Sequence, residues 1–326
     1  MKEQKSSQRL LTIFSILISL YYSGFLVSLP IDVFFDRPNY LGSLENANLI
    51  FFQMMNKGVI SFLMNEPIWR TLNVGLTNVL DPETSLKVII AFSSFFVSYF
   101  LLRESPKNII IVIVFLFFPL LIKNFIIHLR QGVAISIFLI GYLNREKKIG
   151  KFLILTSAMI HSSFIIVIGQ LIAFRFISYR RFSFGVGVMI SIVLSVILFA
   201  LIPILADSLG ARQSEHFGSD IASIPIFGVI IWGFLATFFI YDALYDKKNK
   251  ENSLLGVYLI MFYIVGSCFS VLASRIFESN IVLIFLLVLS MKKAKIRRLS
   301  ECYIFFVGII LWMMSFDGHY FGMAPQ

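Results

Sequence analysis

The sequence predicts an all-α fold, a polytopic bundle of membrane helices with about nine to ten spans. Three observations carry that prediction: 58% of the 326 residues are apolar, only 14% are charged, and 36 are phenylalanine. Soluble domains carry roughly a quarter charged residues, so a water-solvated fold cannot absorb this composition and several segments must be solvated by lipid. A soluble enzyme is excluded on that ground. The net charge of +10 could suggest a nucleic-acid surface, because basic chains bind phosphate backbones. Here Lys and Arg instead sit in short clusters between long uncharged runs, the pattern that insertion imposes on cytoplasmic loops. No nucleic-acid partner is expected. Cys268 lies in an apolar run and Cys302 beside a basic loop, so neither a disulfide nor a metal spacing is expected.

The basic leader Lys2, Lys5 and Arg9 precedes Leu10–Leu29, an uncharged run with no small-x-small cleavage site before the polar stretch that follows. It reads as a retained signal anchor with a cytoplasmic N-terminus. Further spans are expected at Val88–Leu102, Asn108–Ile122, Gln131–Leu143, Phe152–Phe174, Phe182–Ala206, Ile221–Tyr241, Asn252–Ser274, Ile276–Met291 and Cys302–Phe316. All form one integral membrane domain, 1–326. The long connection 30–87 mixes acids, Asn, Pro and aromatics with apolar patches such as Leu49–Met55, and reads as an extracytoplasmic segment with interfacial helices. A second extracytoplasmic loop is expected at 207–220.

With the N-terminus inside, Arg103 and Lys107 and then Arg145, Lys147, Lys148 and Lys151 fall inside. Arg175, Arg180 and Arg181, Lys247, Lys248 and Lys250, and Lys292, Lys293, Lys295, Arg297 and Arg298 also demand the inside. A single crossing at 152–174 would turn every later cluster outward, against the positive-inside rule. The segment is therefore expected to enter and return as a re-entrant hairpin or two half-helices, with His161-Ser162-Ser163 near the bend. Broken backbone is tolerated at membrane depth only where it is buried in protein or lines a polar cavity. The competing topology makes 152–174 an ordinary tenth span.

Eight of the 28 Lys and Arg then lie on the outer side: Arg37, Lys57, Arg70, Lys87, Lys123, Arg130, Arg212 and Arg275. Taken singly, each fits a snorkelling or ion-pair role. Together, Lys123, His128 and Arg130 flank one outer turn, Arg212 and His216 share an outer loop, and Arg275 opens a span. Guanidinium forks suit a phosphate or pyrophosphate through paired charge-assisted hydrogen bonds, so an anionic lipid head group is the expected ligand. Among the acids on that side, Asp36 and Glu66 stand beside turn residues and aromatic rings, in Asp36-Arg37-Pro38-Asn39-Tyr40 and Glu66-Pro67-Ile68-Trp69. Rings such as Tyr40 and Trp69 stack on carbohydrate while carboxylates hold its hydroxyls; an aromatic anchor with an N-capping acid is the structural alternative. Asp36, Glu66 and His161 are the candidate bases for an acceptor hydroxyl. The sequence has no Asp-x-Asp pair, no Walker glycine loop, no Gly-x-Ser-x-Gly and no His-Glu-x-x-His, so nucleotide-driven and zinc chemistries lack support and neither metal nor cofactor is expected.

Several blocks resemble a known family. Leu129-Arg130-Gln131-Gly132-Val133-Ala134, the basic loop 145–151 and Ala158-Met159-Ile160-His161-Ser162-Ser163-Phe164 are similar in order and spacing to the Arg-Gln-Gly-hydrophobic-Ala and His-Ser-Ser pattern of the EpsG and Wzy-like bacterial polysaccharide polymerases. Asp36 to Tyr40, Glu66-Pro67 with Leu72-Asn73, and Ser274-Arg275 are similar to three further blocks, although Val33-Phe34-Phe35 stands where the family has glycine and a small polar residue before the aspartate. The resemblance implies a fold similar to the lipid-carrier (GT-C-like) glycosyltransferases, in the bacterial inner membrane. It implies transfer of a growing glycan from undecaprenyl pyrophosphate to a lipid-linked repeat unit on the extracytoplasmic face, for an O-antigen or an exopolysaccharide. Arg130 and Arg275, with Arg212 and Lys123, would hold the pyrophosphate; Asp36, Glu66 or His161 would serve the acceptor. Tyr40, Trp69, Gln131, His128 and His216 would line the substrate. The implied partners are the lipid-linked glycan, the bilayer and a chain-length regulator protein. His161-Ser162-Ser163 has a second reading, as groups that satisfy backbone opened by the hairpin. A transporter or flippase of lipid-linked oligosaccharide, and after it a membrane O-acyltransferase, are the competing functions.

Overall fold

In a bilayer the backbone finds no water to bond, so apolar segments close their hydrogen bonds within themselves as helices. The computed structural model describes residues 2–31, 33–34, 36–179, 182–208, 226–245, 249–270 and 272–315. Among them are sixteen α-helices and no strand. In order they are α1 (Lys2–Ser28), α2 (Asp36–Glu45), α3 (Ala47–Asn56), α4 (Val59–Met64), α5 (Pro67–Thr77), α6 (Pro82–Glu104), α7 (Ile109–Leu116), α8 (Pro119–Ile126), α9 (Leu129–Leu143) and α10 (Lys148–Ile160). The rest are α11 (Ser163–Tyr179), α12 (Phe184–Ser208), α13 (Ile226–Tyr245), α14 (Lys250–Gly266), α15 (Leu272–Leu289) and α16 (Ala294–Ser315).

Among the described residues five helices are long and apolar enough to cross a membrane: Arg9–Ser28 of α1, α6, Phe184–Leu201 of α12, α13 and α15. The pair α7 and α8, bent by 68° at a short break, makes a sixth if counted as one span. Their outer faces carry large apolar side chains such as Leu17, Tyr21, Met189, Val193, Ile230 and Phe234, more than a water-facing surface tolerates as contiguous patches. The chain is a polytopic helical membrane protein. Sequence spacing predicts nine spans besides 152–174, and the difference lies at α9 and α14, which are short, and at α16, whose 22 residues are not. The 15 residues of α9 and the 17 each of α11 and α14 reach only about 22–26 Å at 1.5 Å per residue, against a hydrocarbon core of about 30 Å. The apolar stretch 152–174 is divided, with helix ending at Ile160 and resuming at Ser163.

The chain divides into two units, 1–62 with 66–161 and 308–326, and 63–65 with 162–307. In the first, α1 and α9 pack on α6, α10 pairs with α9, and α5 lies beside α2, α3, α6 and α10. Its breaks are closed by side-chain donors. At the α7 end, Tyr22 Oη donates to Leu116 O at 2.6 Å and Trp312 Nε1 to Phe117 O at 2.7 Å. Pro119 then restarts helix in the first turn of α8, where its missing N–H costs nothing. The serines of α6 (Ser93, Ser94, Ser98) bond carbonyls one turn back in their own helix, so this face is polar in composition but dry in contact.

In the second unit, α14 is flanked by α12, α13 and α15, and α11 packs on α15. Polar contacts are buried here too. Asp242 Oδ2 accepts from Asn249 Nδ2 at 2.9 Å and Ser253 Oγ at 2.6 Å. Asn280 Nδ2 donates to Gln170 Oε1 at 2.9 Å, and the Ser163 and Ser279 hydroxyls meet at 3.1 Å.

Candidate active site

The first unit gathers a carboxylate, a guanidinium, an imidazole and a phenol from four separate helices. Glu66 stands immediately before α5, with Pro67 in the first helical turn. The sequence left two readings for this acid, and the geometry separates them. A capping acid accepts from a backbone N–H in the first turn, as Asp81 does from Thr84 N at 2.9 Å ahead of α6. Glu66 makes no side-chain cap bond. Its side chain turns inward, 6% exposed, where Oε2 accepts from Arg130 Nη1 at 2.5 Å and Oε1 meets His161 Nδ1 at 2.7 Å. To do so its backbone takes the left-handed conformation, φ 61°, ψ 58°, which side-chain-bearing residues enter only at a cost.

Burial alone would push the Glu66 carboxyl up. Arg130 and His161 outweigh that and hold it well below the usual carboxylate range, because an adjacent opposite charge and hydrogen bonds both favour the ionised form. With Glu66 ionised, His161 Nδ1 must carry the proton of the bond they share. Nε2 is then the acceptor of the neutral ring, the arrangement in which a carboxylate orients an imidazole for base catalysis. Among the described residues no protein group bonds Nε2, and the side chain keeps 15% of its surface open. His161 closes α10 with an extended backbone, φ −144°, ψ 119°. Its side chain goes to Glu66, so it does not serve the broken backbone as one sequence reading had it.

Arg130 lies in the first turn of α9 and its side chain remains 31% exposed, with its guanidinium hydrogen-bonded both to Glu66 and to the Tyr40 side chain. The Tyr40 ring lies beneath it, 6.0 Å from centroid to Cζ, and packs edge-on against Trp69 at 6.0 Å. Trp69 is 2% exposed. Trp69 thus backs the Tyr40 ring. Gln131 is buried as well. Gly132 explains the third residue of the Arg-Gln-Gly block, since a Cβ there would run into the backbone carbonyl of Asn124. The corner between α8 and α9 closes only around glycine, and that corner delivers Arg130.

The other sequence candidates are placed as follows. Asp36 opens α2, and Oδ2 lies 3.8 Å from His128 Nδ1 at the start of α9. Lys123 is in the last turn of α8. Arg275 stands on α15 in the second unit, with its own carbonyl accepting from Ser279 Oγ at 3.1 Å. Arg212 and His216 lie outside the described residues. No group of three or more His, Cys, Asp or Glu able to hold a metal occurs among the described residues. Sequence reasoning counted Arg37 only as one of the eight outer cations; it is fully buried. Its signal was the helical spacing of Arg37, Tyr40 and Leu44 on one face of α2.

These features define a helical membrane protein with a buried carboxylate bridging a guanidinium and an imidazole, next to an aromatic ring. Residues 9–326 match the EpsG family, and the chain belongs to that family, one of Wzy-like polysaccharide polymerases. No curated protein and no solved structure is significantly similar to it.

Proposed function

We propose that the chain polymerises a bacterial glycan at the outer face of the inner membrane, its N-terminus cytoplasmic, moving a growing chain from undecaprenyl pyrophosphate to a lipid-linked repeat unit. The observation that carries this reading is the double engagement of Glu66. One oxygen fixes the imidazole tautomer, and the other fixes a guanidinium that still has donors to offer.

In the reaction the acceptor hydroxyl gives its proton to His161 Nε2 as its oxygen bonds to the anomeric carbon of the donor glycan. The bond from that carbon to the pyrophosphate oxygen breaks, and the electron pair leaves on the pyrophosphate. Arg130 receives the growing negative charge through its open donors, which act where charge develops and so lower the barrier selectively. Glu66 stays ionised and stabilises the imidazolium. Tyr40 offers a ring face against which a sugar can stack. Lys123 is a further cation for the pyrophosphate, and Asp36 with His128 flanks the acceptor side.

The test is the fate of repeat units in cells carrying His161→Gln or Arg130→Ala at normal expression. Polymerase loss leaves single units on their lipid carrier at the periplasmic face. A transport defect would strand them on the cytoplasmic leaflet, and wild-type polymer in both variants would overturn the assignment.

A further inference from the structure

We infer that Arg37 is a positioning residue that sets Tyr40 and the helix corner before Arg130 by gripping the carbonyl ends of two other helices. Its side chain is fully buried. Nε donates to Ile126 O at 2.9 Å, the last residue of α8, and Nη1 donates to Leu29 O and Pro30 O at 2.9 Å each, just past α1. The guanidinium also lies over the Phe34 ring, 4.5 Å from its centroid. A buried cation normally finds a carboxylate. This one rests on carbonyls at the C-terminal ends of two helices, where the macrodipole is negative, and on a ring face.

The consequence for the site follows from the geometry of α2. Arg37 and Tyr40 are three residues apart and share a helix face with buried Leu44. Pinning Arg37 to α1 and α8 therefore fixes the roll of α2, and with it the ring under Arg130 and against Trp69. The same grip holds Ile126, two residues before His128 opens α9. Both sides of the Tyr40 and Arg130 contact thus hang on one side chain. Lysine retains the charge but cannot span three carbonyls from one planar fork.

This inference rests on the Glu66, Arg130 and His161 site being the active site, and the experiment separates the two. Polymer formation by Arg37→Lys, Tyr40→Leu and the double variant is measured in membranes supplied with lipid-linked repeat units, beside thermal unfolding of each purified protein and a His161→Gln control. Arg37→Lys is expected to lower the maximal rate tenfold or more with a smaller change in the substrate concentration for half-maximal rate. Tyr40→Leu, which removes the ring, is expected to lower the rate on its own but to cost little further rate in the Arg37→Lys background, while unfolding midpoints fall additively. Phe34→Leu removes the ring beneath the guanidinium and leaves the three carbonyl bonds. It replaces Arg37→Lys if that variant does not accumulate, with a threefold loss expected and the same non-additivity. Wild-type rate in the substituted protein, or independent multiplication of the two rate losses, overturns the inference while an inactive His161→Gln keeps the site. An active His161→Gln overturns the site itself.

Discussion

Replacing Glu66 by glutamine keeps the shape of the side chain and removes the charge that both neighbours use. Neutralising one partner of a buried ion pair costs about 3–5 kcal/mol. The 31% exposure of the Arg130 side chain lets water take up part of the orphaned charge, which brings the expected loss of folding stability to about 2–3 kcal/mol. The effect on turnover is larger, because the imidazole loses its orienting acceptor and general-base assistance is worth about 10²–10⁴-fold; a loss of about a hundredfold is expected. Purified protein gives the first quantity by chemical or thermal unfolding, and the ladder of polymer formed in membranes gives the second. Stability has a defined pH signature. Glu66 is held below its unfolded value, so its contribution is complete above the unfolded pKa, about 4.3 for glutamate, and fades only as pH falls through the folded value. The difference in unfolding between wild type and Glu66→Gln should therefore not shrink between pH 9 and pH 5. A difference that shrinks from pH 7 to pH 5, or a polymer ladder at wild-type rate, would refute the reasoning.

Arg130→Lys is expected to reduce polymer formation at least tenfold, since one ammonium cannot hold Glu66 and present a second flat edge to a diphosphate; full activity would show that charge alone suffices. Gly132→Ala should destabilise the protein by about 1–3 kcal/mol and lose polymer with it, because the obstructing atom is a backbone oxygen rather than a yielding side chain. An unchanged unfolding curve would rule out the tight corner between α8 and α9. In the second unit, Asp242→Ala strands the Asn249 and Ser253 donors and should cost about 1–3 kcal/mol for each orphaned group, with Ser253→Ala milder. Equal curves for the three proteins would argue against the buried cluster.

The sequence made the long helices legible and the short ones hard to read. Leu10–Leu29 corresponds to Arg9–Ser28, and Val88–Leu102 lies inside α6. The true start of α6 was written in Asp81-Pro82, a capping acid followed by proline, but a search for uncharged runs passes over Glu83 and Lys87. Pro119 stands at the break in 108–122, which the expected span passed over, and helix in 152–174 is interrupted at His161-Ser162. The residues of the site were each nameable from local chemistry: an acid before proline, an arginine opening a helix, a histidine at a bend. Their meeting was not. Glu66 contacts groups 64 and 95 positions away, and no periodicity reports a pairing at that separation. Arg37 counted as one more stranded cation, because whether a guanidinium ends on lipid phosphate or on carbonyls depends on packing. The burial of Trp69 was not legible either, because which face of an 11-residue helix is covered depends on what packs against it.

The left-handed backbone at Glu66 also bears on which substitutions at this position would be tolerated. Glycine occupies that conformation without penalty, but it would delete the carboxylate that aligns the imidazole and guanidinium, and orphaning the buried partners costs at least as much as the strain it relieves. Neither a screen for thermal endurance nor a demand for long glycans should therefore favour it, and the uncomfortable residue is held from both sides.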